Sequence, residues 1–208
     1  MLQEVAELVV ASAPDRQTIL AEGRGADIVI VRAPLPEALF ESPGNLRAAI
    51  RHGAGLDMIP VGAATAAGVL VANVPGVNAA TVAEHVFMAS MILLRRFRQV
   101  DGDLRAHGWE AVRAHSGRGH DLGGRVMGIV GMGNVGKAVA AIAQGGFGLQ
   151  TIAHVRNPDS LPSGVKGVEL DLLLGESDIV VLCCPLTAAT RGLIDAARIA
   201  RMKQGAIL

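Results

Sequence analysis

The sequence predicts an α/β fold of doubly wound parallel sheets, arranged as two domains joined by a long helix, and three observations predict it. Short apolar runs alternate with helical stretches along almost the whole chain, the pattern of a parallel sheet covered by helices on both faces. A long helical stretch beginning at Ala79 separates two such series. The second series opens on Val126-Met-Gly-Ile-Val-Gly-Met-Gly-Asn-Val-Gly136, where an apolar strand runs directly into a Gly-x-Gly-x-x-Gly turn with Ala-rich sequence behind it.

Taken in order, the first series places strands over 7–11, 26–31, 48–52 and 69–74, and Pro75-Gly76 breaks the last of them. The helix then spans 79–96. Its apolar face is Ala83, Val86, Phe87, Ala89, Ser90, Ile92 and Leu93, with Arg95, Arg96 and Arg98 at the end where cations suit the helix dipole. A polar connector over 101–124, with several Gly and His residues, carries the only tryptophan, Trp109. The second series places strands over 126–130, 151–155, 165–169 and 179–184, with helical sequence over 137–144. Asp171 reads as the N-cap of a short helix containing Leu172, Leu173 and Leu174, which Ser177 and Asp178 close. The final segment, 202–208, reads as a turn entering a further apolar strand. That pattern reads as a piece of a longer protein, cut at its C-terminus and also at its start.

Nineteen basic and nineteen acidic side chains cancel, which argues against a broad nucleic-acid footprint. No apolar run approaches the ~18–20 residues of a membrane span, and the acidic start is unlike a secretory signal. Cys183 and Cys184 are neighbours in a strand-like run, so their thiols point to opposite faces and do not share a metal. Buried reduced thiols fit a cytoplasmic protein. The six histidines form no metal-ligand spacing, and no metal is expected.

Each glycine of the turn has a physical task in a dinucleotide site. Gly131 permits the tight turn, Gly133 lets the backbone approach a pyrophosphate, and Gly136 lets the helix pack against the strand. Asn134 and Val135 supply N–H groups at the helix start, where the dipole favours an anion.

Four further segments accompany the turn: Arg51-His-Gly-Ala-Gly-Leu-Asp57, Ala63-Ala-Thr-Ala-Ala-Gly68, Asn73-Val-Pro-Gly-Val-Asn78 and Val82-Ala-Glu-His85. Cys184-Pro-Leu-Thr187, Thr190-Arg-Gly-Leu-Ile194 and Arg201-Met-Lys-Gln-Gly-Ala-Ile-Leu208 follow. In this order and at these spacings the chain resembles the D-isomer-specific 2-hydroxyacid dehydrogenases, such as hydroxypyruvate and glyoxylate reductases, phosphoglycerate dehydrogenase and formate dehydrogenase. The resemblance implies a flavodoxin-like substrate domain over 1–78 and a Rossmann coenzyme domain over 79–208, both partial. It implies hydride transfer between NAD(P)H and a small 2-oxo or 2-hydroxy acid, and a homodimer in which the long helix and the Trp109 connector form the exchanged arm.

The resemblance also assigns residues. The loop at Gly53, Ala54 and Gly55 holds the substrate carboxylate, in keeping with successive amides of a Gly-rich turn forming an anion nest. Arg32 is a position that faces an anionic substrate or makes a surface ion pair. Cys184 and Pro185 pass beneath the nicotinamide-side ribose, with Thr190 as a neighbouring position and Val82 packing near the coenzyme from the long helix. The family's catalytic arginine, glutamate and histidine are expected beyond Leu208, so no catalytic residue is assigned within the chain. None of His52, His85 and His154 takes that histidine's place.

About 20 residues past the turn, an NAD site carries an acidic residue for the ribose 2′-hydroxyl. Here Val155 stands there with Arg156 beside it. Without the carboxylate, a 2′-phosphate meets no repulsion and gains a guanidinium. NADP is therefore the expected coenzyme, with NAD as the alternative. Two other functions compete with the reductase: a dinucleotide sensor like the corepressors that resemble this family, and an inactive truncated homologue. Loss of a general acid alone costs on the order of 10²–10⁴ in rate.

Overall fold

A computed structural model describes residues 2–208 and divides them into two compact units, one ending at Val77 and the other spanning Asn78–Leu208. Among the described residues are seven strands and nine α-helices, with two short 3-10 turns. No described helix is long and apolar enough to cross a membrane.

The first unit contains α1 (Arg16–Gly23), β1 (Ile28–Val31), α2 (Ala38–Glu41), β2 (Ala48–Arg51), α3 (Val61–Ala66) and β3 (Leu70–Asn73). Asp15 starts α1: its carboxylate accepts from the Gln17 and Thr18 amides at 2.9 and 3.0 Å, the cap that frees a helix's first N–H groups from being orphaned. The strands lie in the order β1-β2-β3, all parallel, with Val31 opposite Arg51 and Arg51 opposite Asn73. Alternation along the strands decides which face is covered. Val29, Val31, Ala49 and Val71 pack with Leu39, Phe40, Ile59 and Ala64. On the other face Ile28, Ile30 and Leu70 are exposed.

The expected strand over 7–11 does not form. Leu8, Val9 and Val10 are exposed and pair with nothing in the sheet. The β-branched Val9 and Val10 take up strand only where a neighbouring strand offers packing. The expected strand over 26–31 begins two residues later, at Ile28.

The second unit opens with α4 (Ala79–Leu94), α5 (Phe97–His107) and α6 (Trp109–Arg113). Then come β4 (Val126–Val130), α7 (Asn134–Phe147), β5 (Gln150–His154), β6 (Val165–Gly167), α8 (Leu170–Glu176), β7 (Ile179–Leu182) and α9 (Ala196–Ile199). The parallel sheet has the order β6-β5-β4-β7, and Ile207 adds a single parallel bridge outside Ile179. The chain thus moves outward from β4 through β5 to β6, then crosses back to the far side of β4. That reversal makes the unit doubly wound and puts a topological switch at the carboxyl ends of β4 and β7.

Both faces of this sheet are covered. Met127 and Ile129 pack with Ala83 and Phe87 of α4 and with Val139, Ala140 and Ala143 of α7. Phe87 stacks on Phe147 with ring centroids 5.1 Å apart. On the opposite face Val130, Ile152 and Val180 meet Leu170, Leu173 and Leu174 of α8.

Three expectations change here. The long helix stops at Leu94, where Arg96 adopts a left-handed φ of 51°, and a second helix starts at Phe97. The first half of the expected polar connector is therefore helical, since α5 and α6 occupy it. The N-cap of α8 is Glu169, without a side-chain cap bond. Asp171 lies inside the helix and pairs with Arg201 and Arg198 at 2.8 and 3.4 Å, fastening α8 to the segment around α9. Its partners lie about thirty residues away in sequence, so local spacing alone points to a cap.

Candidate functional site

The glycine turn sits at the switch in the second sheet. Gly131 has φ +93°, and its amide donates to the His154 carbonyl at 2.9 Å. A Cβ at Gly131 would lie 2.8 Å from the Cys184 nitrogen. Three segments thus meet here: the turn, the end of β5 leading to Val155 and Arg156, and the chain leaving β7 at Cys183 and Cys184. A Cβ at Gly136 would lie 2.2 Å from the Gly131 carbonyl oxygen, so only glycine lets α7 start this close to the turn.

Gly133 differs from both. It is the N-cap of α7, and nothing stands within 4 Å of where its Cβ would be. The first amide of this region to find a protein acceptor is that of Lys137, which donates to the Gly133 carbonyl at 2.9 Å. The amides of Met132, Gly133, Asn134, Val135 and Gly136 donate to no atom of the described residues. Open space at Gly133, unpartnered N–H groups and the positive end of a fourteen-residue helix fit a dinucleotide's phosphates.

Val155 is half-buried just past β5, and Arg156 is exposed, with no hydrogen bond or ion pair among the described residues. The next acid in sequence, Asp159, lies in the 3-10 turn Pro158–Ser160, whose N-cap is Asn157. Cys184 and Pro185 follow β7. Thr190 donates its hydroxyl proton to the Pro185 carbonyl at 2.6 Å and accepts from the Thr187 amide at 2.8 Å. Its role visible here is to brace the Pro185 loop. Cys183 packs with the α4–α7 core and Cys184 with the α8 core, and both thiols are free. Burial, with a smaller push from Cys184, raises the Cys183 thiol to about 11. Val82 is half-buried on α4, and no described contact joins it to the glycine turn.

In the first unit, Ala54 and Gly55 lie in the loop after β2, and their amides also donate to no atom of the described residues. The loop is held from outside. Asn73 donates to the Ala54 carbonyl at 2.7 Å, and the Val74 amide to the Gly53 carbonyl at 3.0 Å. Arg32, just past β1, donates to Nδ1 of His52 at 2.5 Å. Arg51 and His52 carried no site role of their own in the sequence: Arg51 stood within the 51–57 segment, and His52 was excluded as the catalytic histidine. The Arg51 Nη1 donates to the carbonyls of Val31 and His52 at 3.0 and 2.8 Å, tying β1 to the loop. Their signal was a charged residue ending an otherwise apolar strand, but the Val31–Arg51 register is visible only once the strands pair.

Comparison with known proteins agrees with this geometry. Residues 87–208 match the family model described as the D-isomer specific 2-hydroxyacid dehydrogenase, NAD binding domain. The chain is 36% identical over 203 residues to a D-3-phosphoglycerate dehydrogenase of Mycobacterium leprae, covering 94% of this chain and 37% of that protein. It is 36% identical over 201 residues to a glyoxylate reductase of Korarchaeum cryptofilum, covering 94% and 60%. The chain therefore spans about two fifths to three fifths of the length of these relatives. The structure of an NAD-dependent formate dehydrogenase from Staphylococcus aureus in complex with NAD superposes with a TM-score of 0.83 at 26% identity, over 97% of this chain and 61% of that one. An α/β parallel-sheet fold, the glycine turn at the switch point and these matches lead to one assignment: the chain belongs to the D-isomer-specific 2-hydroxyacid dehydrogenase family and carries its nicotinamide-dinucleotide-binding domain.

Proposed function

We propose that the protein is a reductase of small 2-oxo acids that prefers NADPH. The observation that carries this reading is the run of unpartnered amides from Met132 to Gly136 together with Arg156 where an acid would recognise NAD. Residues 1–78 serve as the substrate domain and 79–208 as the coenzyme domain.

In this reading Gly131, Gly133, Asn134, Val135 and Gly136 hold the pyrophosphate, while Arg156 holds the 2′-phosphate above the apolar Val155. Cys184, Pro185, Thr190 and Val82 border the rest of the coenzyme. The bound nicotinamide supplies the hydride. The Ala54 and Gly55 amides hold the substrate's carboxylate, and Arg32 stands at the edge of that site. The relatives' printed activities on phosphoglycerate and glyoxylate support an acid of this size.

The full-length protein forms a homodimer through α4 and α5. Met88, Met91, Leu93, Phe97, Leu104 and Trp109 are all exposed, and Phe87, Met88, Met91 and Phe97 help line an apolar groove of about 420 Å³.

The test is a titration of NADPH and NADH against the full-length protein and Arg156→Ala. A charge-assisted contact predicts NADPH binding about tenfold or more tighter, with the gap closed in the variant. Tighter binding of NADH, or unchanged NADPH affinity on Arg156→Ala, would overturn the preference.

A further inference from the structure

The bend between α4 and α5 carries Arg95, Arg96 and Arg98, and only the first of them has an acidic partner. Arg95 pairs with Asp121 at 2.5 Å. Arg96 and Arg98 are exposed, and neither guanidinium makes a hydrogen bond or ion pair among the described residues. The aspartates of this arm are already engaged: Asp121 by Arg95, Asp101 by Arg105 at 3.0 Å and Asp103 by His115 at 2.6 Å. No acid stands in the first turn of α5. The two cations therefore lie side by side without a counter-charge.

Both arginines line a groove of about 550 Å³, together with Ile92, Leu93 and Gln99. One sign of charge set against apolar walls focuses the field and concentrates anions. Backbone bonds fix Arg96 between two other groove residues. Its amide donates to the Leu93 carbonyl at 3.2 Å, and its carbonyl accepts from the Gln99 amide at 3.0 Å. This position is strained: Arg96 holds φ 51° and ψ 36°, the left-handed region that suits glycine. A side chain held against such strain points to a function for that side chain. We propose that the groove binds a small organic phosphate, with the phosphate between Arg96 and Arg98 and the carbon body against Ile92 and Leu93.

Planar guanidinium forks match phosphate oxygens in pairs, and two of them suit a dianion. The groove's volume is that of a small-molecule site. None of the residues from Gly131 to Gly136, nor Arg156, lines it, so its occupant is a second ligand beside the dinucleotide.

The test is a two-dimensional amide NMR titration of the full chain with phenyl phosphate, inorganic phosphate and the neutral benzyl alcohol. Phenyl phosphate should shift the amides of Leu93, Phe97 and Gln99. It should bind about tenfold or more tighter than inorganic phosphate, through its apolar body. Benzyl alcohol at the same concentration should leave those amides unmoved. Arg98→Gln should weaken phenyl phosphate about tenfold or more, because glutamine keeps hydrogen bonding and loses the charge. Arg96→Gly should do the same in a protein at least as stable as the parent, which separates the loss of the guanidinium from damage to the fold. Arg113→Gln, the same loss of charge on α6 outside the groove, should stay within about twofold. No shift at Leu93, Phe97 and Gln99, shifts confined to residues 132–136, or unchanged affinity in Arg96→Gly and Arg98→Gln would overturn the proposal. Sedimentation of Arg98→Gln should show the parent's oligomeric state; a changed state would assign the arginines to a subunit contact and equally overturn it.

Discussion

Adding one methyl group at Gly136 and one at Gly133 should damage different properties of the protein. At Gly136 the new Cβ would stand 2.2 Å from the Gly131 carbonyl oxygen and 3.3 Å from an Ile129 methyl. The oxygen belongs to backbone, so α7 must move by about an ångström to restore ordinary contact. Alanine's better helix propensity offsets at most about 1 kcal/mol, and overpacking typically costs about 1–3 kcal/mol, occasionally more. Gly136→Ala should therefore be destabilised, with Tm falling by about 2–4 °C for each net kcal/mol. At Gly133 the methyl enters open space, and φ −76° with ψ −159° is extended backbone that any residue adopts. Stability should fall by no more than about 1 kcal/mol, the N-cap preference of glycine over alanine. NADPH affinity should fall about tenfold or more, since about 1.4 kcal/mol of lost phosphate contact suffices. Thermal unfolding with and without NADPH reads both quantities. A Gly136→Ala protein as stable as the parent, or a Gly133→Ala protein that binds NADPH as tightly, would refute the reasoning.

Arg96, the only described non-glycine residue with positive φ, should be improved by Arg96→Gly. Relief of left-handed strain predicts a gain of about 1 kcal/mol, and a lower Tm would contradict it. Asp178 accepts from the Val126 amide at 2.8 Å and from Lys203 at 3.1 Å, clamping the start of β4. Burial alone would raise its pKa, but the Val126 amide, Lys203 and Arg125 together outweigh burial and lower it. A lowered folded pKa means this stabilisation is complete above the ordinary carboxylate value of about 3.9. It is lost as pH falls further through the folded value. Urea unfolding of Asp178→Ala should thus show a deficit of about 1–3 kcal/mol at pH 7 that shrinks below pH ~4. A deficit independent of pH would exclude the clamp. Cys183, with its thiol at about 11, should resist alkylation in the native protein at pH 8, where only about one thiol in a thousand is ionised. Peptide mass spectrometry after iodoacetamide should find it unmodified, and rapid labelling would contradict its burial.

What could be read from the sequence was local or periodic. The strand into the glycine turn, the helix from Ala79 and the parallel series around Val126 and Ile179 all carry their pattern within a few residues. The turn's chemistry was legible for the same reason, because a Gly-x-Gly-x-x-Gly spacing already contains its geometry. Features that depend on a distant partner were not. Val9 and Val10 look like strand and find no neighbour to pair with. Asp171 looks like a cap until Arg201 is beside it. The break at Arg96 needs a left-handed residue that no glycine announces, and α5 hides Phe97, Val100 and Leu104 among charges while burying none of its residues. Arg51 was passed over because its meaning lies in the Val31 carbonyl across the sheet.

The central claim is that the N–H groups opening α7 hold a dinucleotide and that Arg156 reads its 2′-phosphate. An amide NMR titration of the chain with NADP+ and, separately, NAD+ tests it most directly. The account predicts that the resonances of Gly133, Asn134 and Val135 shift with both coenzymes, while Arg156 responds to NADP+ alone. Shifts that leave residues 132–136 unmoved, or an identical response of Arg156 to the two coenzymes, would contradict it.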